Sequence, residues 1–256
     1  MACIDKNKRD KAHLLIKDTG VVAGVEIAKR IFETVDPTCS FNVLIEDGTD
    51  VHYGDIVFEL ECNTQALLKA ERLALNTMQR MSGIATLSNR FMFEVEDLPV
   101  KLLDTRKTTP LIRFIEKWGV RLGGCTNYRY GLFDRFMIKD NHIDASGGIK
   151  EAIEHIQIYK KQHNLDIPLT VEVRNLVELH EVLEIGNVDR IMLDNFELPI
   201  MAEAVQTIDG RFEVEASGNM DIHKVRNVAQ TGVDFISIGA LTHSAVSLDM
   251  SLKVVK

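Results

Sequence analysis

Two stretches of the sequence place cationic side chains at or shortly after the end of an apolar run. In "KLLDTRKTTP" the apolar pair Leu102 and Leu103 is soon followed by Arg106 and Lys107, and in "DRFMIKDNH" the apolar run ends at Lys139. Guanidinium groups bind carboxylates through two hydrogen bonds, and lysine ammonium groups bind phosphates as point charges. These side chains therefore indicate a site for a small ligand that carries several negative charges.

Carboxylates and small residues hold similar positions further along the chain. Glu172 lies within "LTVEVR", Asp194 follows "RIML", and Ser217-Gly218 follows "RFEVEA". Two carboxylates beside lysines suit Mg²⁺ that is held partly by substrate phosphates. A Ser-Gly turn that leads into a helix can offer a hydroxyl and backbone N–H groups to a phosphate. "SIGALTHS" supplies a second turn of small residues, with His243 nearby.

Several of these residues also have a purely structural interpretation. Arg106 and Lys107 could form a solvated strand end, and Asp194 could cap the next helix. Glu172, which lies between two valines, is harder to explain in this way, because a buried carboxylate needs a partner. Glu215 is a further candidate anion at the same edge. The joint pattern favours a polycarboxylate and a sugar phosphate with Mg²⁺ as the ligands.

The composition limits the classes of function. The 256 residues carry a formal net charge of −8, which argues against general binding to nucleic acid or to anionic membranes. No apolar run reaches the roughly 18–20 residues of a membrane span, and the start "MACIDKNKRDK" lacks the apolar core of a signal peptide. The four cysteines are far apart and form no CxxC pair, so we expect a reduced, cytoplasmic protein.

The first third of the chain predicts a small α+β unit. Short strand patterns surround the helical pattern "GVEIAKRIFETVD", and a long helical pattern follows from about Asn63 to Val95. Asn63 is the expected N-cap of this long stretch, and Gly83 is expected to divide it into two helices. Its predicted apolar face comprises Leu67, Ala70, Leu73, Ala74, Met78 and Met81.

From Val100 onward, short apolar strands alternate with amphipathic helices. Such alternation predicts a parallel sheet with right-handed crossovers, in a barrel that is complete or open; a doubly wound open sheet is the alternative. Thr109 is expected to cap the helix "LIRFIEKW", with Pro110 in its first turn. The predicted strands are "VKLLDTRK", "DRFMIKDN", "LTVEVR", "RIMLDNF", "RFEVEAS" and "DFISIGA". Because polar residues follow almost every strand, we expect the site at the carboxyl ends of the strands.

Longer motifs resemble one known family. "DTRKTTP", "GGCTNYRYGLFDRFMIKDNHI", "MLDNF", "EASG" and "GVDFISIGALTHS" are similar to the type II phosphoribosyltransferases that act on quinolinate, and so is "AERLALNTMQRMSGIAT". The resemblance extends in order over nearly the whole chain. It implies an α/β sandwich domain at residues 1–97, to which the tail 246–256 returns, and an open seven-stranded α/β barrel at residues 98–245.

The resemblance also implies a reaction and the residues that perform it. Quinolinate and phosphoribosyl pyrophosphate would give nicotinate mononucleotide, carbon dioxide and pyrophosphate, with Mg²⁺, in a homodimer or higher oligomer with shared sites. The implied acceptor-binding residues are Arg106, Tyr128, Arg129, Lys139 and Arg72 from the partner subunit. The implied residues around the ribose, pyrophosphate and metal are Lys107, Lys139, Glu172 and Asp194. The implied 5-phosphate residues are Ser217, Gly218, Gly239 and His243.

The chain departs from the family pattern at two places. Where many members have Asn-His-Arg, this chain has Asn127-Tyr128-Arg129, and a tyrosine keeps a hydrogen-bond donor but cannot become a cation. We therefore expect a weaker positive field on quinolinate. Members also usually begin with a further helical segment that carries an acidic stretch, so the start of this chain is either truncated or lacks that segment.

Two other functions remain open at this point. One is a related phosphoribosyltransferase with a different acceptor, and only a panel of substrates would separate it from the first. The other is a non-catalytic sensor of phosphate ligands on the same scaffold. The presence of Lys107, Lys139, Glu172 and Asp194 argues against the sensor.

Overall fold

The computed structural model describes residues 3–255, which form two compact units that interleave along the chain. The first unit consists of residues 3–90, 108–125 and 241–255, and the second consists of Phe91–Lys107 and Thr126–Ala240. The domain limits predicted from the sequence, near residues 97 and 246, stay a prediction. Within residues 3–255, no helix is both long enough and apolar enough to cross a membrane.

The chain alternates strands and helices, as the sequence predicts. The strands are β1 (Arg9–Ile16), β2 (Gly20–Val21), β3 (Ser40–Val43), β4 (Asp50–Val51), β5 (Ile56–Asn63), β6 (Lys101–Leu103), β7 (Phe136–Ile138), β8 (Leu169–Val173), β9 (Arg190–Asp194), β10 (Glu213–Ser217), β11 (Phe235–Ser237) and β12 (Met250–Val255). The helices are α1 (Val25–Val35), α2 (Thr64–Phe93), α3 (Arg113–Leu122), α4 (Asp140–Ser146), α5 (Ile149–His163), α6 (Leu176–Ile185), α7 (Leu198–Ile208), α8 (Val225–Ala229) and α9 (Ala240–His243). The predicted mixed α/β class is confirmed.

The first unit is built on a four-stranded antiparallel sheet with the order β12-β1-β5-β3. Its core joins apolar residues of this sheet to one face of α1 and one face of α2. Phe41 and Phe58 pack with ring centroids 4.4 Å apart, and Phe32 of α1 lies against both rings. Burial of such aromatic side chains is a major source of core stability.

Helix α2 begins where the sequence predicts but is not divided. The Asn63 Oδ1 atom accepts hydrogen bonds from the backbone N–H groups of Gln65 and Ala66, which confirms the N-cap. The predicted break at Gly83 is wrong, since the helix continues through it. A Cβ atom at position 83 would collide with the backbone carbonyl of Val246, so the glycine serves a close approach of two backbones. Leu73, predicted on the buried face, is 60% exposed.

Helix α3 starts later than the sequence predicts. It begins at Arg113, and Leu111 has a φ of 68°, so neither Thr109 as N-cap nor Pro110 in the first turn is correct. Instead, the backbone N–H and the hydroxyl of Thr109 both donate to the buried carboxylate of Glu116, at 2.9 and 2.8 Å. Arg80 donates to the same carboxylate at 2.7 Å. Thr109 therefore lies in a loop that donates hydrogen bonds to the buried Glu116 carboxylate, and the helix starts only after this loop.

The second unit contains a parallel sheet with the order β6-β11-β10-β9-β8-β7. The first strand, β6, pairs with the last, β11, and the other neighbours follow chain order. A doubly wound sheet reverses its strand order at a switch point, whereas a barrel brings the first strand beside the last. The observed order is therefore consistent with the open barrel that the sequence predicts.

The parallel sheet of the described residues has six strands, one fewer than the resemblance implies. A single parallel bridge joins Leu103 of β6 to Thr126 on the side away from β11. The ladder does not continue beyond this bridge. The backbone N–H group of Tyr128 donates instead to the side chain of Asp104, at 2.8 Å. The position of a seventh strand thus carries one bridge only.

Candidate active site

The candidate site lies in the second unit, at the carboxyl ends of its parallel strands. Because the six strands run in the same direction, the residues that close or follow them lie along one edge of the sheet. We call this edge the carboxyl edge and define it by Arg106, Lys107, Lys139, Glu172, Asp194, Ser217, Gly218 and Gly239. The structure thus brings eight of the predicted residues to neighbouring strand ends.

Lys139 and Glu172 form an ion pair between adjacent strand ends. Their contact follows from the register, since Ile138 pairs with Val171 and the next residues therefore lie side by side. Glu172 is only 6% exposed, and burial raises its pKa against the opposing effect of Lys139. The nearby charges of Asp194 and Asp140 raise the pKa further. Glu172 is thus a buried carboxylate beside a cation and a second acid.

Asp194 and Ser217 end adjacent strands and are linked by hydrogen bonds of Asn195. The two residues are register partners, and the Asn195 backbone N–H donates to the Ser217 carbonyl at 2.9 Å. The Asn195 side chain donates to Asp194 at 2.7 Å, which orients the carboxylate. Gly218 has a φ of 104° and no room for a Cβ atom, because the Asn195 amide fills that space. Position 218 therefore requires a glycine.

Two arginines of the second unit, Arg106 and Arg129, carry charges that act on each other. The pKa of Arg129 is lowered by burial and, next, by the positive charge of Arg106. The Arg129 Nε atom donates to the Gly131 carbonyl at 2.7 Å. Asp134 accepts hydrogen bonds from the backbone of Tyr130 and Gly131 and so closes the turn that follows Arg129. Neighbouring cations held in this way are suited to a ligand with two carboxylates.

A buried aspartate, for which the sequence motifs predict no role, fixes the loop that carries Arg129. Asp104 is fully buried at the end of β6 and accepts a hydrogen bond from the Tyr128 backbone. Its own backbone N–H donates to the Thr126 carbonyl at 3.1 Å. An acidic residue directly after a buried strand was the available clue, since such a side chain needs a donor nearby.

The Tyr128 side chain is directed to a partner within the second unit. Its hydroxyl lies 2.9 Å from the Thr170 hydroxyl, and burial raises the pKa of Tyr128 to about 12, helped by the negative charge of Glu215. The hydroxyl therefore stays protonated at neutral pH and can donate or accept. Its expected hydrogen bond to an acceptor carboxylate stays a prediction.

The structure corrects two details of the predicted edge. Glu215 is not at the edge but fully buried, where it accepts from Arg190 at 3.0 Å and from Ser237. Arg190, for which the sequence pattern predicts no role, neutralises it. Ser217 and Gly218 do not lead into a helix, because α8 begins only at Val225 and has five residues. Any phosphate at this turn would be held by a loop and not by a helix N-terminus.

Arg72 and His243 belong to the first unit. Arg72 is exposed on α2, and His243 is exposed in α9 with its Nδ1 atom 2.7 Å from the Ser244 hydroxyl. Arg80, on the same helix as Arg72, donates to the Ala245 carbonyl at 2.8 Å and holds the segment after α9. The roles of Arg72 and His243 in binding stay predictions.

The carboxyl edge can hold a metal ion only with help from a ligand. Within residues 3–255, no three side chains of His, Cys, Asp or Glu come together as a metal site. The charge of Asp194 contributes to the raised pKa of Glu172. Mg²⁺ commonly takes one or two carboxylates, with waters and substrate phosphates completing its shell, so these residues fit such a shared ion.

Comparisons with known proteins agree on one family. Residues 1–82 match the N-terminal domain model of quinolinate phosphoribosyl transferase, and residues 84–253 match its C-terminal domain model. Quinolinate phosphoribosyltransferase [decarboxylating] 1b of Nicotiana tabacum is 44% identical over 99% of this chain and 76% of the relative. The chloroplastic nicotinate-nucleotide pyrophosphorylase [carboxylating] of Arabidopsis thaliana is 46% identical over the same shares. The crystal structure of NadC from Streptococcus pyogenes superimposes with a TM-score of 0.93 at 38% identity, covering 100% of this chain and 90% of that one.

Proposed function

Because the chain belongs to the quinolinate phosphoribosyltransferase family, we propose that it transfers the phosphoribosyl group of phosphoribosyl pyrophosphate to quinolinate. The products are nicotinate mononucleotide, carbon dioxide and pyrophosphate, and the reaction belongs to NAD biosynthesis. The observation that carries this proposal is the carboxyl edge, where Lys139 and Glu172 pair between adjacent strand ends and the charge of Arg106 acts on Arg129.

The acceptor is bound by the guanidinium groups of Arg106 and Arg129. Quinolinate carries two adjacent carboxylates, and the mutual repulsion of the two cations is relieved when such a dianion lies between them. Asp104 supports this arrangement through the Tyr128 backbone, which holds the loop in place before substrate arrives. Pre-ordering of this kind lowers the entropy lost on binding.

The ribose and pyrophosphate lie nearer to Lys107, Lys139, Glu172 and Asp194. As the bond between the ribose C1 and the pyrophosphate oxygen breaks, positive charge develops on the sugar and negative charge on the leaving group. Lys107 and Lys139 stabilise the leaving group, and a carboxylate stabilises the developing cation. Ser217, Gly218, Gly239 and His243 are assigned to the 5-phosphate. The close contact between Gly218 and the Asn195 side chain supports this assignment for the loop after β10.

The bond changes require no protein nucleophile. The pyridine nitrogen of quinolinate forms a bond to the ribose C1 as the pyrophosphate departs with its electron pair. The ring nitrogen then carries a positive charge. The carbon–carbon bond to the neighbouring carboxylate breaks, the electron pair stays on the ring carbon, and that carbon takes a proton from solvent. Carbon dioxide is released, and nicotinate mononucleotide remains.

A magnesium ion fits this proposal as a companion of the pyrophosphate. Glu172 and Asp194 are the side chains that would hold it, directly or through water. When bound, the ion would neutralise charge on the leaving pyrophosphate. Lys139, which pairs with Glu172, keeps that carboxylate oriented whether the ion is held directly or through water.

We further propose a homodimer, or a higher oligomer, in which active sites are shared between chains. The support is the family resemblance, which assigns Arg72 to the neighbouring subunit's site, together with the exposure of Arg72 on α2. A cytoplasmic location is also a proposal, supported by the wide spacing of the four cysteines along the sequence. Relatives from plants are named as chloroplastic or mitochondrial proteins.

One assay tests the function directly. The purified chain is mixed with phosphoribosyl pyrophosphate, Mg²⁺ and either quinolinate or another heteroaromatic carboxylate such as nicotinate, and the mononucleotide product is measured by chromatography. We expect nicotinate mononucleotide and carbon dioxide when quinolinate is the acceptor, and no product when another carboxylate replaces it. A product from another acceptor only would establish the rival phosphoribosyltransferase. Binding of both substrates without turnover would establish the sensor.

A further inference from the structure

Arg190 is a buried charge that the proposed mechanism does not use. It opens strand β9, is 4% exposed, and faces two carboxylates of the neighbouring strand β10. Its Nη1 atom lies 3.0 Å from Glu215, and its Nη2 atom lies 2.8 Å from Glu213. A buried ion pair is weak evidence for stability alone, because desolvation of both charges opposes the attraction. Its presence inside the sheet therefore needs another explanation.

The plane of the Arg190 guanidinium is fixed against two aromatic rings. The guanidinium carbon lies 3.6 Å from the ring centroid of Phe235 and 5.0 Å from that of Tyr128. A cation over an aromatic ring is attracted by the ring's quadrupole, and more strongly when water is excluded. Because Glu213 and Glu215 hold the guanidinium by its edges, the Tyr128 ring meets a cation that cannot move away.

Tyr128 is then held at each end. Its hydroxyl contacts the Thr170 hydroxyl at 2.9 Å, and Arg135 donates to that Thr170 hydroxyl at 3.2 Å. Its backbone N–H donates to the buried Asp104. The next residue in the chain is Arg129, one of the two guanidinium groups assigned to the acceptor. A shift of the Tyr128 ring would therefore move Arg129.

We propose that Arg190 is a positioning residue for acceptor binding: through the Tyr128 ring it holds Arg129 beside Arg106 and so sets the affinity for the dicarboxylate. This inference rests on the proposed function and deepens it. An arginine is required because its planar fork can meet two carboxylates at its edge while its face packs on the rings, which a lysine cannot do. The contacts of Arg190 are with Glu213, Glu215 and the two aromatic rings, so its effect on the acceptor would pass through Tyr128.

The first test compares Arg190→Lys with the parent in steady-state kinetics. We expect KM for quinolinate to rise about tenfold, the size of losing one desolvated cation–π contact. KM for phosphoribosyl pyrophosphate should stay within about a factor of two, because the change acts away from the ribose site. Arg226→Lys is the matched control, since Arg226 pairs with Asp97 at an exposed position of the same unit. It should change neither constant.

A second variant covers the case in which Arg190→Lys fails to fold. The pair Arg190→Met with Glu215→Gln removes both buried charges together and leaves Glu213, which is half exposed, in water. Circular dichroism and thermal unfolding check that it is folded. The same selective rise in KM for quinolinate is expected, and a parent-like KM in a folded double variant would overturn the inference.

A double-mutant cycle separates positioning from general damage. The two single variants Arg190→Lys and Tyr128→Leu and the double variant that combines them are compared with the parent. Quinolinate affinity is measured by calorimetry, and KM by steady-state kinetics. If Arg190 acts through the ring, the double variant should match Tyr128→Leu; additive effects would overturn the inference. An active parent with an unchanged Arg190→Lys refutes this inference and leaves the function standing. A parent that neither binds nor converts quinolinate refutes both.

Discussion

Gly218 lies directly against the side chain of Asn195, so that a Cβ atom at position 218 would collide with the Asn195 amide oxygen and lie 2.9 Å from its backbone nitrogen. The contact joins the ends of β9 and β10, since Asn195 also bonds to Asp194 and to the Ser217 carbonyl. One small residue therefore sets the spacing between the carboxylate and the hydroxyl of the proposed ribose-phosphate site.

We predict that Gly218→Ala weakens binding of phosphoribosyl pyrophosphate. The new methyl group must push Asn195 and the Asp194 carboxylate away, and the φ of 104° adds strain of about 1–3 kcal/mol. KM for phosphoribosyl pyrophosphate should rise at least about tenfold, the effect of losing one good contact. Gly54→Ala is the control: it has a φ of 99° with open space around it, so it carries the strain without the collision. Equal effects of the two variants on KM would contradict this prediction.

Removing either guanidinium from the pair should chiefly affect the acceptor. Arg106→Ala or Arg129→Ala should weaken quinolinate binding by about 1.5–3 kcal/mol, as expected for a charge-assisted hydrogen bond. Calorimetric titration with quinolinate gives the value, and Arg211→Ala, an exposed arginine that bonds only to backbone carbonyls of its own helix end in the described structure, is the control. Unchanged affinity in both variants would remove these residues from the acceptor site.

The two acids of the carboxyl edge should matter for turnover more than for acceptor binding. Glu172→Gln and Asp194→Asn keep size and hydrogen bonding but remove charge, and each should lower kcat on the order of 10²-fold, as when one electrostatic stabiliser is lost. Steady-state rates across a Mg²⁺ series, with quinolinate titrations beside them, measure this. If rate and Mg²⁺ dependence both match the parent, these acids have a structural role only.

Glu172 should also make the stability of the protein depend on pH. Its pKa is raised in the folded state, first by burial, so the folded protein holds this proton more tightly than the unfolded chain does. The stabilisation is complete at low pH and is lost as the pH rises through the raised pKa. The unfolding free energy of Glu172→Gln, relative to the parent, should therefore increase from acidic to neutral pH. Urea unfolding of both proteins at each pH tests the sign, with the exposed Glu154→Gln as control.

Mixing experiments should reveal shared sites. Arg72→Ala and Lys139→Ala chains should each be inactive alone, because each would lack one part of every site. If the site is built from two chains, a mixed dimer regains one intact site and activity returns to a fraction of the parent rate. Native mass spectrometry must first verify that subunits exchange. Verified exchange without recovered activity would mean that Arg72 acts within its own chain or not at all.

The strands and the edge of the site were predictable because their physical causes are local. Each short apolar run predicts a strand, and a parallel sheet must gather the residues after its strands at one edge. Lys139 and Glu172 could be expected to lie near each other on this ground, and the structure pairs them. The N-cap at Asn63 was predictable for the same reason, since capping depends on the next three residues alone.

The features that the sequence could not reveal depend on distant partners. Polar and apolar residues alternate at Glu213, Val214 and Glu215, as in any ordinary strand. Only the structure places Arg190 of β9 beside both acids. The late start of α3 has a similar origin, because Thr109 is drawn to a buried Glu116 that Arg80, from another helix, neutralises. Gly83 resembles a helix break in the sequence. The actual reason for a glycine there is the close approach of the backbone at Val246, which is distant in the sequence.

The pairing of β12 with β1 sets an order of events during synthesis. Strand β1 is made early, but one of its two neighbours in the sheet is made only after the whole of the second unit has been synthesised. Until then the first sheet has an open edge of unpaired N–H and C=O groups, which can pair with other nascent chains. Lysines near both ends of that strand, Lys11 and Lys17, give this waiting edge a positive charge that opposes such association.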